Sequence, residues 1–374
     1  MQTEDRDLKR TFLCERHTGL SARMAGFGGF LMPIQYEGIL AEHQATRERT
    51  AVFDTCHMGE FLLTGPGALA DLDRIVSCTV SSLVVGQCRY GFMCNETGGV
   101  IDDLLVYRKG DQAFMLVVNA DTQDTDFQWI QSHLSADTRA EDISGRTGKL
   151  DIQGPGSPAI VARLMAEPVS ALRFYRFMEN TYRGHDVIVS RTGYTGEIGF
   201  EVYGSEEATL ALWDDCMNAG VTPAGLGARD TLRLEMGMPL YGHELSVDRN
   251  AAQAGFTKAI ASDKEFIGSE AVHDDAGREI VLAGLTLQDR RAAREGDAIQ
   301  ASSGEAIGSI TSGSFAPSVG NAVALGYLKV DHAAEGSEVV IQTGRHALPA
   351  TIMEPPFYRD ATARAPMEAF LEEE

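Results

Sequence analysis

Positive charge is scarce in this sequence. The 374 residues hold 32 lysines and arginines against 54 aspartates and glutamates, which gives a formal net charge of −22, and no lysine-rich run stands out. Nucleic-acid phosphates and anionic membranes attract basic surfaces. We therefore expect neither a nucleic acid nor a membrane as a partner.

Long apolar runs are missing as well. No stretch is apolar over the length that a membrane-crossing helix requires. The segment Met1–Leu13 is polar, and it has neither an apolar export region nor an amphipathic targeting helix rich in arginine and serine. The sequence therefore predicts a cytoplasmic protein.

Metal-binding spacings are also lacking. The six cysteines include no C-x-x-C pair, and none lies at a zinc-binding spacing from a histidine. We expect no metal and reduced, structural thiols. The adjacent residues Cys56 and His57 could suggest a thiol nucleophile, but neighbouring side chains on a strand point to opposite faces, which argues against that pairing.

The sequence does contain an internal repeat, in a chain too long for one ordinary core. A strand, a Gly-Pro-Gly turn and a helix occur at Phe61–Val76 and again at Leu150–Met165; Arg89–Met93 is echoed by Phe174–Met178, and a helix with Trp129 by one with Trp213. Each copy predicts an α+β unit with its helices on one face of an antiparallel sheet. Two such units packed about a pseudo-twofold axis would offer a ligand site at their junction.

Two glycine-punctuated stretches, Gly98–Asp103 and Arg191–Glu201, each combine a turn, an apolar run and carboxylates. Strand alternation places Glu201 and Tyr203 on the face opposite to Phe200. An ionised glutamate accepts two parallel hydrogen bonds, which suits an N–H and an amino group side by side on a ring edge. These stretches predict a pocket for a heterocyclic cofactor.

Asp102 and Asp103 are adjacent in an apolar strand, so they point to opposite faces and one of them faces the more buried side. Burial without a fixed partner would raise its pKa and suit it to proton transfer. The alternative is structural: one aspartate caps a turn and the other pairs with an arginine such as Arg108.

A glycine-rich turn leads into a helix at Pro223–Glu235, where Arg229 and Arg233 share one face near the helix start. A carboxylate of a ligand, or of a buried aspartate or glutamate, could bind there. The alternative is an internal ion pair with Asp230 or Glu235.

The composition changes after about Glu279. Short alternating runs follow one another, separated by Gly, Ser and Asp. Such a pattern predicts a β-barrel or a β-sandwich.

The motifs taken together resemble the aminomethyltransferase family, the T-proteins of the glycine cleavage system. The resemblance runs from about His17 to Arg359 and rests on Phe53–Glu60, Asn95–Asp103, Val117–Ala120, Ser190–Glu201, Gly225–Glu235 and Ile310–Gly313. It implies an α+β cloverleaf of three domains with a C-terminal β-barrel. The expected domains are residues 1–55 with 140–278, residues 56–139, and residues 279–374.

The resemblance also implies a site for tetrahydrofolate in the central hole. Asp103 matches the aspartate that lies against the folate nitrogens and is needed for transfer, and Glu201 matches the carboxylate that grips the pterin. Further matches to folate contacts are Tyr90, Asn119, Tyr194 and Arg229, with Arg364 as a C-terminal arginine that reaches the pocket.

The reaction implied is transfer of a methylene group from aminomethylated lipoyl-lysine on the carrier H-protein to tetrahydrofolate, with release of ammonia. Three features depart from the family pattern. Cys56 replaces a serine, Phe174 stands at a tyrosine position, and Arg249–Lys258 lacks the usual Asn-Pro and tryptophan. The alternative is therefore a tetrahydrofolate-dependent demethylase of a small methylated compound. A folate-binding protein without transfer activity is a third hypothesis, but its Lys-Gly-Cys-Tyr motif is absent.

Overall fold

The first part of the chain builds a small sheet and the start of a larger one. The computed structural model describes residues 8–274, 278–344 and 346–371. The first elements are β1 Lys9–Arg10, α1 Cys14–Gly19, β2 Arg23–Phe27, β3 Phe30–Gln35, α2 Ile39–Glu48 and β4 Ala51–Asp54. Strands β1, β3 and β2 form a three-stranded sheet in that order.

The first copy of the repeat forms a five-stranded sheet. Its elements are β5 Gly59–Thr64, α3 Ala68–Ile75, β6 Gln87–Cys94, β7 Val100–Gly110, β8 Ala113–Val118, α4 Gln123–Ser132 and β9 Arg139–Asp142. The strand order is β6-β7-β8-β5-β9. Strand β9 carries this sheet to Asp142, beyond the predicted domain limit at residue 139.

The second copy repeats the same succession of elements. They are β10 Gly148–Gln153, α5 Ser157–Leu164, β11 Phe177–Tyr182, β12 His185–Ser190, β13 Gly199–Gly204 and α6 Glu206–Asn218, followed by β14 Thr222–Ala224 and α7 Leu226–Glu235. The sheet order is β11-β12-β13-β10-β4-β14, so β4 from the N-terminal part joins this sheet. The two pseudo-repeated α+β units that the sequence predicts are confirmed.

Both copies turn from their first strand into their first helix at a glycine. Gly65 has φ +124° and Gly154 has φ +114°, values at which L side chains are strained. A Cβ atom on Gly154 would lie 2.5 Å from the carbonyl oxygens of Thr46 and Arg49. The turn therefore requires glycine for both its backbone angle and its close packing.

Each sheet uses one face for its own helices and the other face for the partner sheet. In the second unit Phe200 and Val202 pack with Trp213 of α6, as the strand alternation predicts. In the first unit Val106 packs with the residues of α3 and α4. The opposite faces meet through a shared apolar cluster that includes Tyr107, Met115, Val117, Phe177 and Tyr203.

The last part of the described chain is a barrel. After α8 Ser269–His273 come β15 Ile280–Leu287, β16 Ala298–Ala301, β17 Ala306–Phe315, β18 Ala322–Lys329, β19 Glu338–Thr343 and β20 His346–Met353. They close in the order β15-β18-β17-β16-β19-β20. The barrel alternative is confirmed over the sandwich, and Leu285, Ile299, Leu328 and Ile341 fill its interior.

The sheet memberships support a division into three domains. We propose the three domains that the sequence predicts, with the limit of the second domain moved from residue 139 to residue 142 because β9 pairs with β5. They are residues 1–55 with 143–278, residues 56–142, and residues 279–374 as the barrel domain; strand β4 supports assigning the N-terminal segment to the first of these. Among the described residues no helix has the length and apolarity to cross a bilayer.

Candidate active site

The strand pairing places the two key carboxylates on facing surfaces. Asp103 shares its strand face with Leu105 and Tyr107, and Glu201 shares its face with Tyr203. Tyr107 and Tyr203 belong to the cluster that joins the two units, and their hydroxyl oxygens are 3.0 Å apart. Residues far apart in sequence are thus presented to the same layer between two duplicated sheets.

Asp103 is held by two neighbouring side chains. Its Oδ2 accepts a hydrogen bond from the Tyr90 hydroxyl at 2.9 Å, and its Oδ1 accepts one from Asn119 Nδ2 at 2.8 Å. Burial, and after it the adjacent charge of Asp102, raises the pKa of Asp103 to about 7. A partly exposed carboxyl with this pKa can take up or release a proton near neutral pH.

The alternative pairing with Arg108 is not formed. Arg108 donates to the carbonyl of Leu83 and pairs with Asp111. Asp102 points to the opposite face, is fully buried, and accepts the backbone N–H of Asn119 at 2.9 Å.

Glu201 is part of a buried polar network. Its Oε1 lies 2.6 Å from Lys149 Nζ, and its Oε2 accepts hydrogen bonds from the hydroxyls of Thr192, Tyr107 and Tyr203. The donors on Oε2 occupy the lone pairs that a two-oxygen grip on a ring edge would use. Without rearrangement, Glu201 can offer a ligand only the remaining lone pair of Oε1.

Lys149 links this network to the helix α7. Its Nζ is 3.3 Å from Asp151 Oδ1, and Asp151 Oδ2 accepts from Arg229 Nη1 at 2.7 Å. Burial opposes the charged form of Lys149, but Asp151 and Glu201 outweigh burial and raise its pKa. The Arg229 guanidinium in turn lies 4.9 Å from the centre of the Tyr194 ring. The carboxylates of Glu201 and Asp151 therefore alternate with the cations of Lys149 and Arg229. The Tyr194 ring lies against the Arg229 end of this row.

Both α7 arginines form internal ion pairs, but only Arg233 uses a partner that the sequence alternative named. Arg229 pairs with Asp151, and Arg233 pairs with Asp230 at 2.9 Å and with Glu244 at 3.0 Å. The other proposed partner, Glu235, pairs instead with Arg47.

Three tyrosines have pKa values that the charge of Asp103 or Glu201 raises. Burial, and after it the charge of Asp103, raises the pKa of Tyr90. Tyr194 and Tyr175 raise the pKa of Tyr90 further. Burial, and after it the charges of Cys88 and Glu201, raises the pKa of Tyr175. These interactions connect the surroundings of Asp103 with those of Glu201.

Tyr175 is a candidate site residue that sequence reasoning missed. Its φ of +61° lies in the left-handed region, where a non-glycine residue is strained. Its backbone is fixed there by two hydrogen bonds, from Cys88 N–H to its carbonyl and from its own N–H to the carbonyl of Arg191. No pattern in the sequence marks this conformation.

The C-terminal segment reaches the same region. The Arg364 guanidinium lies 5.2 Å from the centre of the Phe174 ring, and its charge acts on the neighbouring Tyr175. Thr362 anchors the segment, because its hydroxyl accepts from Ile198 N–H at 2.9 Å and donates to Glu197. The segment is thereby tied to the turn that bears Tyr194.

A cavity of about 360 Å³ opens beside the Tyr194 ring. Phe27, Leu226, Tyr194 and Arg229 are among its lining residues, and the barrel contributes residues 311–313. Asp103 and Glu201 are not in its wall. Tyr194 and Arg229 are thus the predicted site residues that border this cavity. The charge of Asp103 is one of the influences that raise the pKa of Tyr194.

The departures from the family pattern are accommodated inside the fold. The Cys56 thiol is buried, burial raises its pKa well above the ordinary value, and it donates to the Lys149 carbonyl at 3.4 Å. The structural role expected for this thiol is favoured over a nucleophile. Within Arg249–Lys258, Asn250 caps the short helix Ala251–Ala254, which packs with Phe92 and Val100.

Comparisons with known proteins agree with this architecture. The GCVT N-terminal domain matches residues 13–264, and the glycine cleavage T-protein C-terminal barrel domain matches residues 281–359. The aminomethyltransferase of Desulforamulus reducens is 42% identical over 94% of this chain and 99% of its own length. That of Halothermothrix orenii is 39% identical over 94% of this chain and 100% of its own length.

A solved structure shows the same fold. The glycine cleavage system aminomethyltransferase T from Bartonella henselae superposes with a TM-score of 0.89 at 31% identity, over 95% of this chain and 99% of the other. The family, the fold and the enzyme class that the motifs predict are confirmed. The chain belongs to the aminomethyltransferases, the T-protein family of the glycine cleavage system.

Proposed function

We propose that the chain binds tetrahydrofolate between its two α+β units and transfers to it a methylene group from an aminomethylated lipoyl-lysine on a carrier H-protein, with release of ammonia. The observation that carries the proposal is the position of Asp103 and Glu201 on the sheet faces that meet. Tyr90 hydrogen-bonds to Asp103 there, and Tyr107 and Tyr203 hydrogen-bond to Glu201. Bound tetrahydrofolate would supply the nucleophilic nitrogen that receives the one-carbon group.

The residues present fit such a ligand. The reduced pterin ring is flat and rich in N–H donors, and the region offers aromatic rings together with the carboxylates of Asp103 and Glu201. Glu201 is already oriented by Lys149 at 2.6 Å. It therefore needs no reorganisation to accept one further hydrogen bond at Oε1.

Asp103 is the group that takes up or releases the proton of the reacting folate nitrogen. Tyr90 and Asn119 fix its two oxygens, and its pKa of about 7 lets it hold or yield a proton at the pH of the cytoplasm. Arg229 and Arg364 are the cations proposed to bind the anionic tail of the folate. Positioning and proton control together are the contribution expected of the protein.

The proposal is tested by mixing the purified protein with tetrahydrofolate and aminomethyl-lipoyl carrier and measuring methylenetetrahydrofolate and ammonia in equal amounts. A parallel reaction contains small S-, N- or O-methylated donors in place of the carrier. Product only from the carrier supports the proposal. Methyltetrahydrofolate formed only from the small donors would replace it with the demethylase, and absence of folate binding would reject both.

A further inference from the structure

A buried arginine, Arg47, lies behind the loop that bears Tyr194. Arg47 belongs to the last turn of α2, and its side chain is 6% exposed. All three nitrogens of its guanidinium donate hydrogen bonds. An arginine presents five N–H donors in a rigid planar fork, so its contacts fix the positions of their acceptors relative to one another.

The first contacts of Arg47 are to the Tyr194 loop, residues 192–197. This loop joins β12 to β13 and lies outside both strands, so sheet pairing does not fix its backbone. Arg47 Nη1 donates to the Thr195 carbonyl at 2.5 Å and to Glu197 Oε1 at 2.9 Å. Thr195 is adjacent to Tyr194, whose ring borders the cavity of about 360 Å³. Arg47 thus holds the backbone beside a predicted folate contact.

The second contacts are to the C-terminal segment, residues 357–365. The Arg47 guanidinium lies 4.2 Å from the centre of the Tyr358 ring. Glu197, which binds Arg47 through Oε1, accepts a hydrogen bond from the Thr362 hydroxyl through Oε2. Arg47 therefore holds the segment both directly and through Glu197.

The C-terminal segment continues from these contacts to the predicted site. The N–H of Ala363 donates to the Gly196 carbonyl at 2.9 Å, so the segment and the Tyr194 loop are also joined through their backbones. Arg191 donates to the carbonyl of Ala363 at 3.2 Å, and the next residue, Arg364, lies over the Phe174 ring. Release of the segment would therefore move Arg364 away from the site.

Buried groups of α7 and of the barrel fix the guanidinium itself. Arg47 Nη2 donates to Glu235 Oε2 at 2.8 Å, and Nε donates to the Ser318 hydroxyl at 3.3 Å. Glu235 is fully buried, and its Oε1 accepts the backbone N–H of Ser318 at 2.7 Å. One side chain therefore joins α2, α7, the barrel domain, the Tyr194 loop and the C-terminal segment.

We propose that Arg47 is a positioning residue of the folate site, which fixes the Tyr194 loop and holds the C-terminal segment against it. Arg47 is not among the residues that line the cavity, so it acts through Tyr194 and Arg364. The inference rests on the proposed function, because these two residues are proposed contacts of the folate. A lysine at position 47 would keep the charge but would lose the planar fork that aligns loop and segment.

The hold on the segment is measured without folate, by limited trypsin digestion of the ligand-free protein. Cleavage after the exposed Arg359 or Arg364 requires local release of the segment, whereas cleavage after the buried Lys149 requires global unfolding. Arg47→Lys should increase cleavage in the segment about tenfold more than cleavage at Lys149. The matched control is Arg49→Lys, on an exposed position just after the same helix, which should leave both rates unchanged.

The positioning role is measured by calorimetric titration with tetrahydrofolate and by steady-state kinetics with the aminomethyl-lipoyl carrier. Loss of an interaction that serves the ground state and the transition state equally raises KM and leaves kcat unchanged. Arg47→Lys should therefore weaken tetrahydrofolate binding about tenfold, while kcat at saturation stays within about threefold of wild type. Arg49→Lys should match the wild type in both quantities.

A second variant keeps the test decisive if Arg47→Lys does not fold. Thr362→Val removes the hydroxyl that binds Glu197 and the N–H of Ile198, and it leaves the buried charges in place. It should weaken tetrahydrofolate binding and increase segment cleavage, each by about fivefold. Unchanged affinity in a folded variant, or cleavage that rises equally in the segment and at Lys149, would reduce Arg47 to a purely structural role and overturn the inference.

Failure of this inference and failure of the proposed function give different results. If the wild type binds no tetrahydrofolate, the proposed function fails, while the digestion still tests whether Arg47 holds the segment. If the wild type binds tetrahydrofolate and Arg47→Lys binds it equally well, the inference fails while the proposed function stands.

Discussion

Replacement of Asp103 by asparagine should make the protein more stable and less active at the same time. The pKa of this carboxyl is raised from an ordinary value of 3.8 to about 7, chiefly by burial. Each pKa unit corresponds to about 1.4 kcal/mol, so ionising Asp103 in the folded protein costs up to about 4 kcal/mol. Since the side chain keeps some contact with water, we expect roughly half of that figure.

The sign of the effect depends on pH in a defined way. Below about pH 4 the carboxyl is protonated in both the folded and the unfolded chain, and the penalty is absent. The penalty grows as the pH rises from about 4 to about 7 and is constant above that, because only the unfolded chain ionises freely within this window. Asp103→Asn should therefore raise Tm at pH 8 by about 4–8 °C and leave it unchanged at pH 4.

Activity should change in the opposite direction. The kcat/KM of the wild type should fall about tenfold for each pH unit below 7, and Asp103→Asn should lose at least about 100-fold at pH 8. The control is Asp111→Asn in the turn that follows the same strand, whose side chain is 93% exposed and which should change neither quantity. A stability gain equal at pH 4 and pH 8, or parental turnover by the asparagine variant, would refute the reasoning.

Two further predictions concern the fold around the site. Lys149→Met leaves the buried Glu201 without its cation and takes one of two cations from Asp151, which keeps Arg229, so urea denaturation should show a loss of about 3–5 kcal/mol. Lys109→Met breaks a more exposed pair and should lose less than about 1 kcal/mol, and equal losses would contradict the argument. Gly154→Ala places a Cβ against two carbonyl oxygens and should cost at least about 3 kcal/mol. Gly184→Ala, with φ +84° and open space, should cost only about 1 kcal/mol.

Much of the architecture follows from local patterns. Alternation along β13 correctly separates Phe200 and Val202 from Glu201 and Tyr203, because a strand has no other way to place successive side chains. The repeated Gly-Pro-Gly turns correctly indicate a duplicated unit, since each unit buries its own helices against its own sheet. The short alternating runs after residue 279 indicate a β domain, but they do not distinguish a barrel from a sandwich.

The site was less accessible to sequence reasoning. The pairing of Lys149 with Glu201 joins strands β10 and β13, which are neighbours only in the folded sheet. Alternate spacing on β10 could have shown that Lys149 and Asp151 share a face, but not what they face.

The sequence by itself determined the duplicated α+β units, the β-rich C-terminal part and the family, because periodicity, turn glycines and ordered motifs are local properties. Only the tertiary structure decided which charges meet. Burial and partner geometry set the state of Asp103, the engagement of Glu201 by Lys149 and the left-handed backbone of Tyr175. Each of these depends on groups brought together from distant parts of the chain, and their electrostatic energies arise only when folding removes water from between them.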